Sequence, residues 1–381
     1  MKKHYSVIVV GAGSIGMAAG YNLAKAGIDT LMIDAYDAPH GYGSHHGETR
    51  LMRHAAGEGS NYVGLALRAQ ELWYQLEEET GKNLFIPTGT LMVGDGDSTF
   101  MNATLESAEA SSLKLETLPP KEISARWPGF SLPEHFTGYF EKKSGVLLNE
   151  ECIKAYRLLA LQHKAELKTN THVTNIQSNK SGAKVTTDDG IYYADKVIVS
   201  VGAWLGKLLA SLNLSLQIMR KTTAWFEAEV VSSAFSYPNL PAFYFSVQNQ
   251  RFYGFPNITG SGVKVGRNDS ERETDPDMMS EDFGEYENDE GDLRGFLEKY
   301  LPGSAGKLNH GKACMITKTP DKDFILDYHP EFSNVIIAGG FSGHGFKYSS
   351  VLGEILRQLV VEERSQYDIS AFSISRGVMV Q

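Results

Sequence analysis

The sequence predicts an α/β fold in which one domain, built of parallel strands and helices, is interrupted by a second, α+β domain with a large, mainly antiparallel sheet. Three observations predict it. The chain begins with a strand, a glycine-rich turn, a helix and a second strand; residues 220–318 are dominated by aromatic strands; and residues 333–363 return to a strand, a glycine-rich turn and an amphipathic helix. The first domain is therefore expected to be discontinuous. We assign it 1–84, 146–216 and 320–381, and the second domain 85–145 and 217–319.

The N-terminal unit has the pattern of a Rossmann-type dinucleotide site. Residues 6–10 form an apolar run, Gly27 ends the helical pattern that follows, and a second strand ends at Asp34, eighteen residues after Gly16. Glycines permit a tight turn and close approach of the backbone to a pyrophosphate, and the helix N-terminus offers N–H groups. Asp34 would accept hydrogen bonds from a ribose hydroxyl. The predicted site is Gly11, Gly13, Ser14, Ile15, Gly16 and Asp34.

The middle of the chain alternates helices and strands. Residues 60–80 predict an amphipathic helix that ends at Gly81, and Asn149 is expected to cap another helix, whose apolar face includes Cys152. Cys152 is interpreted as a small buried hydrophobic residue. Strands are expected in 83–94, 136–149, 165–176, 183–189 and 195–204.

The aromatic region predicts the second sheet. Strands are expected in 222–230, 242–256 and 262–269, and the middle one reads as a hairpin with its turn near Gln248–Gln250. One face of this sheet is expected to line a ligand site.

Composition limits the class of protein. The chain has 381 residues, 42% of them hydrophobic, which provides for a large core. Two cysteines cannot form a disulfide framework. The apolar run near the N-terminus, about five residues, is too short for a signal peptide, and no stretch approaches the ~18 apolar residues of a membrane span. We therefore expect a cytoplasmic protein that does not contact a membrane.

The negative charge is concentrated in one segment. Residues 269–292 hold twelve acids and one arginine, a sum of −11, whereas the whole chain carries −10, so the remainder is about +1. We interpret the segment as a solvated loop and helix start; a specific acidic interaction site is the alternative. The chain has no basic tract that would indicate nucleic-acid binding.

The dinucleotide could be NAD or FAD, and two features favour FAD. Simple dehydrogenases tend to place a catalytic domain after a continuous nucleotide domain, whereas here an aromatic sheet interrupts it twice. In addition, residues 339–346 form a second glycine-rich turn before a helix, and such a turn can hold the negative end of a reduced flavin. An NAD-dependent dehydrogenase is kept as an alternative.

Three segments carry a family resemblance: 43–59, 312–321 and 342–350. With them, the chain resembles end to end the FAD-dependent amine oxidases of the monomeric sarcosine oxidase and N-methyltryptophan oxidase family, within the D-amino-acid-oxidase-like superfamily. The resemblance implies one FAD per chain, joined covalently through its 8α carbon to Cys314. The residues alone would leave Cys314 as an ordinary buried cysteine.

The resemblance also implies a reaction and its partners. An N-methyl or other N-substituted amino acid is oxidised to an imine, which hydrolyses to an aldehyde and the amino acid, while O2 is reduced to hydrogen peroxide. The expected partners are this small molecule and O2, and the protein is expected to be a monomer. The alternatives are a fructosyl amino acid oxidase and, outside enzymes, a non-catalytic flavin-binding protein.

By resemblance, Arg50 lies over the flavin ring, Arg53 and Lys347 hold the substrate carboxylate, Lys264 lies near the flavin N5 atom and Tyr253 lines the pocket. Arg50 and Arg53 would share one face if their segment were helical. Each cation could otherwise be an ordinary surface residue. The further cofactor contacts implied are Ser44, His45, Val173, Gly202, Trp204, Gly343, His344 and Gly345, with Arg50 and Lys347. No metal site is expected. His45, His46 and His54 lie close together in the sequence, but their interpretation as metal ligands has less support than the interpretation of this segment as part of a flavin site.

Two positions depart from the family pattern. Ile316 stands where relatives have a tyrosine, and Asn268 where they have a histidine. Both are expected in the substrate pocket and both reduce side-chain volume, so the best substrate is predicted to be larger than sarcosine. Aromatic residues expected to enclose it are Tyr244, Phe245, Phe252 and Tyr253. The alternative is that neighbouring residues fill the space and sarcosine is preferred.

Overall fold

A computed structural model describes residues 3–229, 233–269, 272–280 and 282–379. Within this part of the chain, eight strands form the first sheet: β1 (His4–Val10), β2 (Thr30–Ile33), β9 (Glu166–Lys168), β10 (Val173–Asn179), β11 (Gly182–Thr187), β12 (Gly190–Val199), β19 (Ile325–Tyr328) and β20 (Val335–Gly339). Parallel strands lie in the order β9-β2-β1-β12-β20, while β10, β11 and β19 pair antiparallel. This is the predicted Rossmann-type arrangement, assembled from distant segments.

The second sheet has nine strands in the described ranges: β5 (Thr90–Asp95), β6 (Glu116–Leu118), β7 (Phe136–Glu141), β13 (Gln217–Phe226), β14 (Ala242–Val247), β15 (Gln250–Phe255), β16 (Val263–Arg267), β17 (Arg272–Glu273) and β18 (Leu308–Lys318). β13 pairs with β18 on one side and with β16 and β17 on the other. Only β14 and β5 pair in parallel there, so the sheet is mainly antiparallel, as predicted. A small sheet of β3 (Thr49–Met52), β8 (Gly145–Leu148) and β4 (Phe85–Ile86) completes the strands.

The helices of the described chain are α1 (Ser14–Lys25), α2 (Asn61–Thr80), α3 (Thr99–Ala110), α4 (Pro120–Arg126), α5 (Asn149–Gln162), α6 (Leu205–Leu208), α7 (Asn288–Tyr300) and α8 (Ser349–Val361). Short 3-10 turns lie at Gly202–Trp204, Ala210–Leu212, Ser233–Phe235, Phe346–Tyr348 and Ser370–Phe372. α1 packs against α5 and α8, and α2 against α8. α7 covers β13 and β16 of the second sheet. None of the helices given above combines the length and the apolar character that a membrane span requires.

Several local predictions are confirmed. α2 ends at Gly81, whose φ is 66°. The hairpin joins β14 to β15 through Gln248 and Asn249, with φ of 51° and 62°. Cys152 is fully buried on α5, and burial raises the pKa of its thiol. These features depend on neighbouring residues, which is why the sequence predicts them.

The predicted cap at Asn149 is wrong. α5 begins at Asn149 itself, with no capping hydrogen bond from a side chain. The Asn149 side chain is fully buried and donates from Nδ2 to the carbonyl oxygen of His45. The Asn149 side chain therefore bonds a residue far away in the sequence and does not cap the N–H groups of its own helix.

The acidic segment is only partly solvated. Residues 270, 271 and 281 lie outside the described residues, as does the predicted strand end at 230. Asp289 is buried, and its carboxylate pairs with Arg220 at 2.7 Å. Asp275 accepts a hydrogen bond from Lys207 at 2.6 Å, and Asp277 one from the indole of Trp204 at 2.7 Å. Part of the segment therefore forms hydrogen bonds with Trp204 and Lys207, which follow the last residue of β12.

Two aromatic predictions are also wrong. Phe245 and Phe252 were expected to enclose the substrate, but their rings pack on Phe296 of α7, at 5.0 and 4.4 Å between centroids. Side chains alternate along a strand, so the neighbours Tyr244 and Tyr253 face the opposite side of the sheet.

Candidate active site

One cavity of about 590 Å³ brings together most of the predicted site. It runs from the carboxyl ends of β1 and β2 to the face of the second sheet at β13, β15 and β18. The predicted residues that line it are Gly11, Gly13, Ser14, Ile15, Asp34, Ser44, His45, Arg50, Arg53, Val173, Gly202, Trp204, Tyr244, Tyr253, Asn268, Cys314, Ile316, Gly343, His344, Gly345 and Lys347. Gly16 and Lys264 lie behind its wall.

The glycine turn requires its glycines. Gly11 has φ of 87°, and a Cβ atom there would lie 2.5 Å from the carbonyl oxygen of Ser200. A Cβ atom at Gly16 would lie 1.8 Å from the carbonyl oxygen of Gly11. α1 then starts at Ser14 with no side-chain cap, so its first-turn N–H groups are available to an anion.

Asp34 is fixed at the end of β2. Its Oδ2 accepts from the N–H of Ala12 at 2.6 Å and its Oδ1 from the N–H of Tyr36 at 2.9 Å. A carboxylate oxygen accepts more than one hydrogen bond, so Asp34 retains capacity toward a ribose. The glycine turn, the helix start and this acid together fit the adenosine diphosphate part of a dinucleotide.

The next loop is held by Arg50. Its Nη2 donates to the carbonyl oxygens of Ser44 and His46, at 2.8 and 2.7 Å, and its Nη1 to that of Thr49 at 2.8 Å. Burial lowers the pKa of His45 to about 3 and that of His46 to about 2, so both imidazoles are neutral. Arg50 lies on β3, not on a helix, so the helical-face argument for Arg50 and Arg53 does not apply.

Lys264 is buried beneath that loop. Its Nζ donates to the carbonyl oxygens of Gly47 and Thr49, the latter at 2.9 Å, and lies 5.0 and 4.8 Å from the ring centres of Trp225 and Phe255. Burial, and then the neighbouring Arg50, lower the pKa of Lys264 well below its usual value. The Lys264 amine is therefore shielded from solvent and lies directly behind the residues that line the cavity.

Arg53 and Lys347 form a cationic end of the cavity. Arg53 donates from Nη2 to Glu58 Oε1 and from Nη1 to the carbonyl oxygen of Ala55, each at 2.6 Å. Its guanidinium carbon lies 5.3 Å from the ring centre of Tyr244. Burial, and then Arg53, lower the pKa of Lys347 to about 8.

Glu58 is a site residue that the sequence did not indicate. Burial alone would raise its pKa, but Arg53 and Lys347 bring it below its usual range, so Glu58 is a carboxylate. An acid five residues after Arg53 in a glycine-rich stretch was the available signal.

Cys314 and Lys221 are opposite each other across β18 and β13. Burial raises the pKa of the Cys314 thiol, while Arg50, Lys264 and Lys221 act against that rise. Lys221 lines the cavity and was also missed, although a lysine inside the apolar strand 217–226 was a visible signal.

The second glycine-rich turn lines the cavity close to Ile316 and Asn268. A Cβ atom at Gly343 would lie 3.0 Å from Ile316 Cδ1 and 3.3 Å from Asn268 Oδ1. Ile316, Asn268 and Gly343 thus lie close together and all line the cavity, while their place in a substrate pocket stays a prediction. Among the described residues, no group of acidic, histidine and cysteine side chains could hold a metal ion.

Comparisons with known proteins agree with this geometry. A family model described as FAD dependent oxidoreductase matches residues 6–359. The chain belongs to this family. It is 50% identical to monomeric sarcosine oxidase of Bacillus sp. (strain B-0618), covering 100% of this chain and 98% of that one. It is 39% identical to N-methyl-L-tryptophan oxidase of Yersinia pestis (strain Pestoides F), covering 98% of this chain and 99% of that one.

Solved structures share the fold of this FAD-dependent oxidoreductase. NikD, an amino acid oxidase of nikkomycin biosynthesis, has a TM-score of 0.86 at 24% identity, covering 98% of each chain. The fructosamine oxidase Amadoriase II from Aspergillus fumigatus has a TM-score of 0.83 at 18% identity, covering 99% of this chain and 91% of that one. At such identities these likenesses establish the fold alone.

FAD fits the residues of the cavity. The glycine turn and Asp34 suit its adenosine diphosphate part, and the cavity continues past Arg50 to Cys314 on the second sheet. The cofactor of this family member is FAD, and the alternative of an NAD-dependent dehydrogenase is set aside.

Proposed function

We propose that this flavoenzyme is an oxidase of N-substituted amino acids that uses O2 as electron acceptor and releases hydrogen peroxide. The proposal rests on one observation: two buried cations, Arg53 and Lys347, line the same cavity as Cys314 and the glycine turn of the dinucleotide site. Such a pair of cations suits the carboxylate of an amino acid. The identity to monomeric sarcosine oxidase and N-methyl-L-tryptophan oxidase supports the same substrate class.

The residues of the chain bind and orient the substrate. Arg53 offers a planar fork to the substrate carboxylate and Lys347 a second cation. Tyr253 lines the pocket as a neutral phenol, since burial raises its pKa to about 12. When bound, FAD supplies the two-electron acceptor for the hydride equivalent that leaves the carbon next to nitrogen. The imine then hydrolyses in water to an aldehyde and an amino acid.

Lys264 is assigned to the oxygen reaction. Burial, and then Arg50, lower the pKa of Lys264, while Glu48 acts against that lowering. In its protonated form the buried amine would stabilise negative charge that develops on O2, and the rings of Trp225 and Phe255 lie beside it. Arg50 holds the loop of residues 44–49, to which Lys264 is also bonded. Arg50 and Lys264 therefore both hold the backbone of this loop, which borders the part of the cavity proposed for the flavin ring.

We also propose that FAD is covalently attached through Cys314 and that the enzyme acts as a monomer. Its FAD-binding domain would comprise 1–84, 146–216 and 320–381, and its substrate domain 85–145 and 217–319. In support, the strands of the second sheet come from 90–141 and 217–318.

The test is a panel of N-methyl amino acids scored for peroxide with purified enzyme. The visible spectrum of the flavin should bleach when substrate is added without oxygen and recover when oxygen is admitted. A yellow protein that releases no peroxide with any N-methyl or fructosyl amino acid would instead be a non-catalytic flavin-binding protein.

A further inference from the structure

Glu48, the residue before β3, combines a left-handed backbone with three side-chain hydrogen bonds. Its φ is 65°, a conformation that costs free energy in any residue other than glycine. Its Oε2 accepts from the indole N–H of Trp225 at 3.0 Å and from the hydroxyl of Thr259 at 2.9 Å. Its Oε1 accepts from the hydroxyl of Ser261 at 2.9 Å. The half-buried carboxylate is therefore held in one place beside the second sheet.

The indole of Trp225 contacts both Glu48 and Lys264. Trp225 of β13 and Lys264 of β16 are opposite each other in the sheet, so their side chains lie on the same face. The Nζ atom of Lys264 is 5.0 Å from the centre of the ring whose N–H donates to Glu48. A cation is attracted to the negative face of an indole. A carboxylate that accepts from the indole N–H increases the electron density of that face, so the two contacts reinforce each other.

The loop that contains Glu48 also binds Lys264 through its backbone. Three oxygens accept hydrogen bonds from Lys264 Nζ: the carbonyl oxygens of Gly47 and Thr49 and the hydroxyl oxygen of Thr49. An ammonium group has three N–H donors, so this arrangement suits the protonated amine. Glu150 of α5 accepts from the N–H groups of Gly47 and Glu48, at 2.8 and 3.3 Å. The peptide unit between these two residues therefore joins a carboxylate to the amine.

The charges around Lys264 oppose one another. Burial, and then Arg50, lower the pKa of Lys264. Glu48 acts against that lowering more strongly than Cys314 or Glu150 does. The protonated form of the amine therefore depends on the Glu48 carboxylate. Within the described residues, the titratable and charged groups that face Lys264 are Arg50 of β3, His46 and Glu48 of the loop before it, Glu150 of α5, and His310 and Cys314 of β18.

The two histidines of this group carry no charge above pH 7. Burial lowers the pKa of His46 to about 2. Burial also lowers the pKa of His310, whose ring stacks on that of Trp225 with 4.2 Å between the centres. A titration observed above pH 7 therefore belongs to neither imidazole.

We propose that Glu48 is a positioning residue for the reaction with O2: through Trp225 and through the backbone of its own loop, it keeps the Lys264 amine protonated. This inference rests on the role proposed above for Lys264 and adds the group that regulates it. A protonated amine stabilises negative charge that develops on O2. Oxidation of the reduced flavin should therefore be fast while Lys264 holds its proton and slow at higher pH, where the proton is lost.

The first test measures each half-reaction against pH by stopped-flow absorbance. Glu48→Gln keeps the shape of the side chain and an oxygen that accepts from Trp225, but it removes the charge. Loss of a negative neighbour lowers the pKa of a lysine, so the fall in the rate of flavin oxidation by O2 should lie about one pH unit lower in the variant than in the wild type. Reduction of the flavin by substrate should keep the same pH profile in both proteins.

A control variant separates the charge of Glu48 from its attachment to the sheet. The double variant Thr259→Val, Ser261→Ala removes two of the three hydrogen bonds to Glu48, but it keeps the carboxylate and its bond to Trp225. Its pH profile of flavin oxidation should stay where it is in the wild type. If this variant moves the profile as far as Glu48→Gln does, Glu48 acts only by holding the loop and the inference is overturned.

The indole N–H of Trp225 gives a second measurement that does not depend on turnover. The chain has four tryptophans, so a nitrogen-15 NMR spectrum of tryptophan-labelled protein is simple, and Trp225→Phe identifies the signal of Trp225. In the wild type this signal should shift with pH as Lys264, 5.0 Å from the ring centre, loses its proton. In Glu48→Gln the shift should occur at lower pH, and in Lys264→Met it should be absent.

The outcomes distinguish this inference from the proposal on which it rests. If Lys264→Met slows flavin oxidation but Glu48→Gln leaves the pH profile and the Trp225 titration unchanged, the inference is overturned and the role of Lys264 remains. If Lys264→Met oxidises its flavin as fast as the wild type does, the role proposed for Lys264 is wrong and the inference falls with it.

Discussion

The guanidinium of Arg53 is bonded to the carboxylate of Glu58, with Nη2 and Oε1 2.6 Å apart. A substrate carboxylate bound as proposed would therefore meet a cation that already has one anionic partner. Lys347 differs, because its Nζ makes no ion pair or hydrogen bond with any residue in the described ranges. Lys347 is thus the cation whose charge is available to a ligand. The Arg53 guanidinium can bind a ligand only while it also bonds Glu58, or after its bond to Glu58 is broken.

The first prediction concerns this pair of cations. Lys347→Met should weaken binding of carboxylate ligands about ten- to a hundredfold, since a hydrogen bond to a charged group contributes about 1.5–3 kcal/mol. Arg53→Met should weaken carboxylate binding as much and also destabilise the fold, because it leaves the Glu58 carboxylate, only 18% exposed, without its ion-pair partner. Titrations followed by the flavin spectrum give Kd. If a simple N-methyl amine binds the wild type as tightly as the N-methyl amino acid, neither residue holds a carboxylate.

The second prediction is a pH dependence. Because burial and Arg53 lower the pKa of Lys347 to about 8, the ammonium form is present below pH 8 and is lost above it. Kd for a carboxylate ligand without an amine group should be constant below pH 7 and rise above pH 8. Lys347→Met should bind weakly at every pH with no such rise. An identical pH profile in the variant would assign the titration to another group.

The third prediction concerns Cys314. If the flavin is attached there, a denaturing gel should show flavin fluorescence with the protein band, and Cys314→Ser should abolish it. Cys152→Ser is the control, because Cys152 is buried in α5 and does not line the cavity. Flavin that remains entirely in the supernatant after acid precipitation of the wild type would rule out covalent attachment.

The fourth prediction separates the two half-reactions at Lys264. Removing a buried cation should slow oxidation of the reduced flavin by O2 by about a hundredfold in Lys264→Met, in line with the loss of one preorganised electrostatic group. Reduction of the flavin by substrate should change far less. Stopped-flow absorbance measures both rates. Since Lys264 also holds the carbonyl oxygens of Gly47 and Thr49, equal losses in both half-reactions would mean that it acts through the loop.

The parts of the molecule that the sequence predicts are those set by local spacing. The glycine turn, Asp34 and the ends of α2 depend on residues within one supersecondary unit. Lys221 and Glu58 were missed because their places follow from strand register and from a loop that folds back on Arg53. The same applies to Arg220 and Asp289, which are 69 residues apart but form a buried ion pair. Phe245 and Phe252 were misplaced because composition does not say which face of a strand is buried.

The last prediction is that the best substrate is larger than sarcosine. Ile316 and Asn268 line the cavity next to Gly343, and both are smaller than the tyrosine and the histidine that the family resemblance leads us to expect there. The kcat/KM for sarcosine should therefore be lower than for N-methyl amino acids with longer side chains, measured by peroxide release. The double variant Ile316→Tyr, Asn268→His should reverse this order by filling the space, whereas Phe245→Tyr, on the opposite face of the sheet against Phe296, should not. If sarcosine leads in the wild type, neighbouring side chains already fill the volume and the argument from these two positions fails, although the carboxylate site at Arg53 and Lys347 would remain.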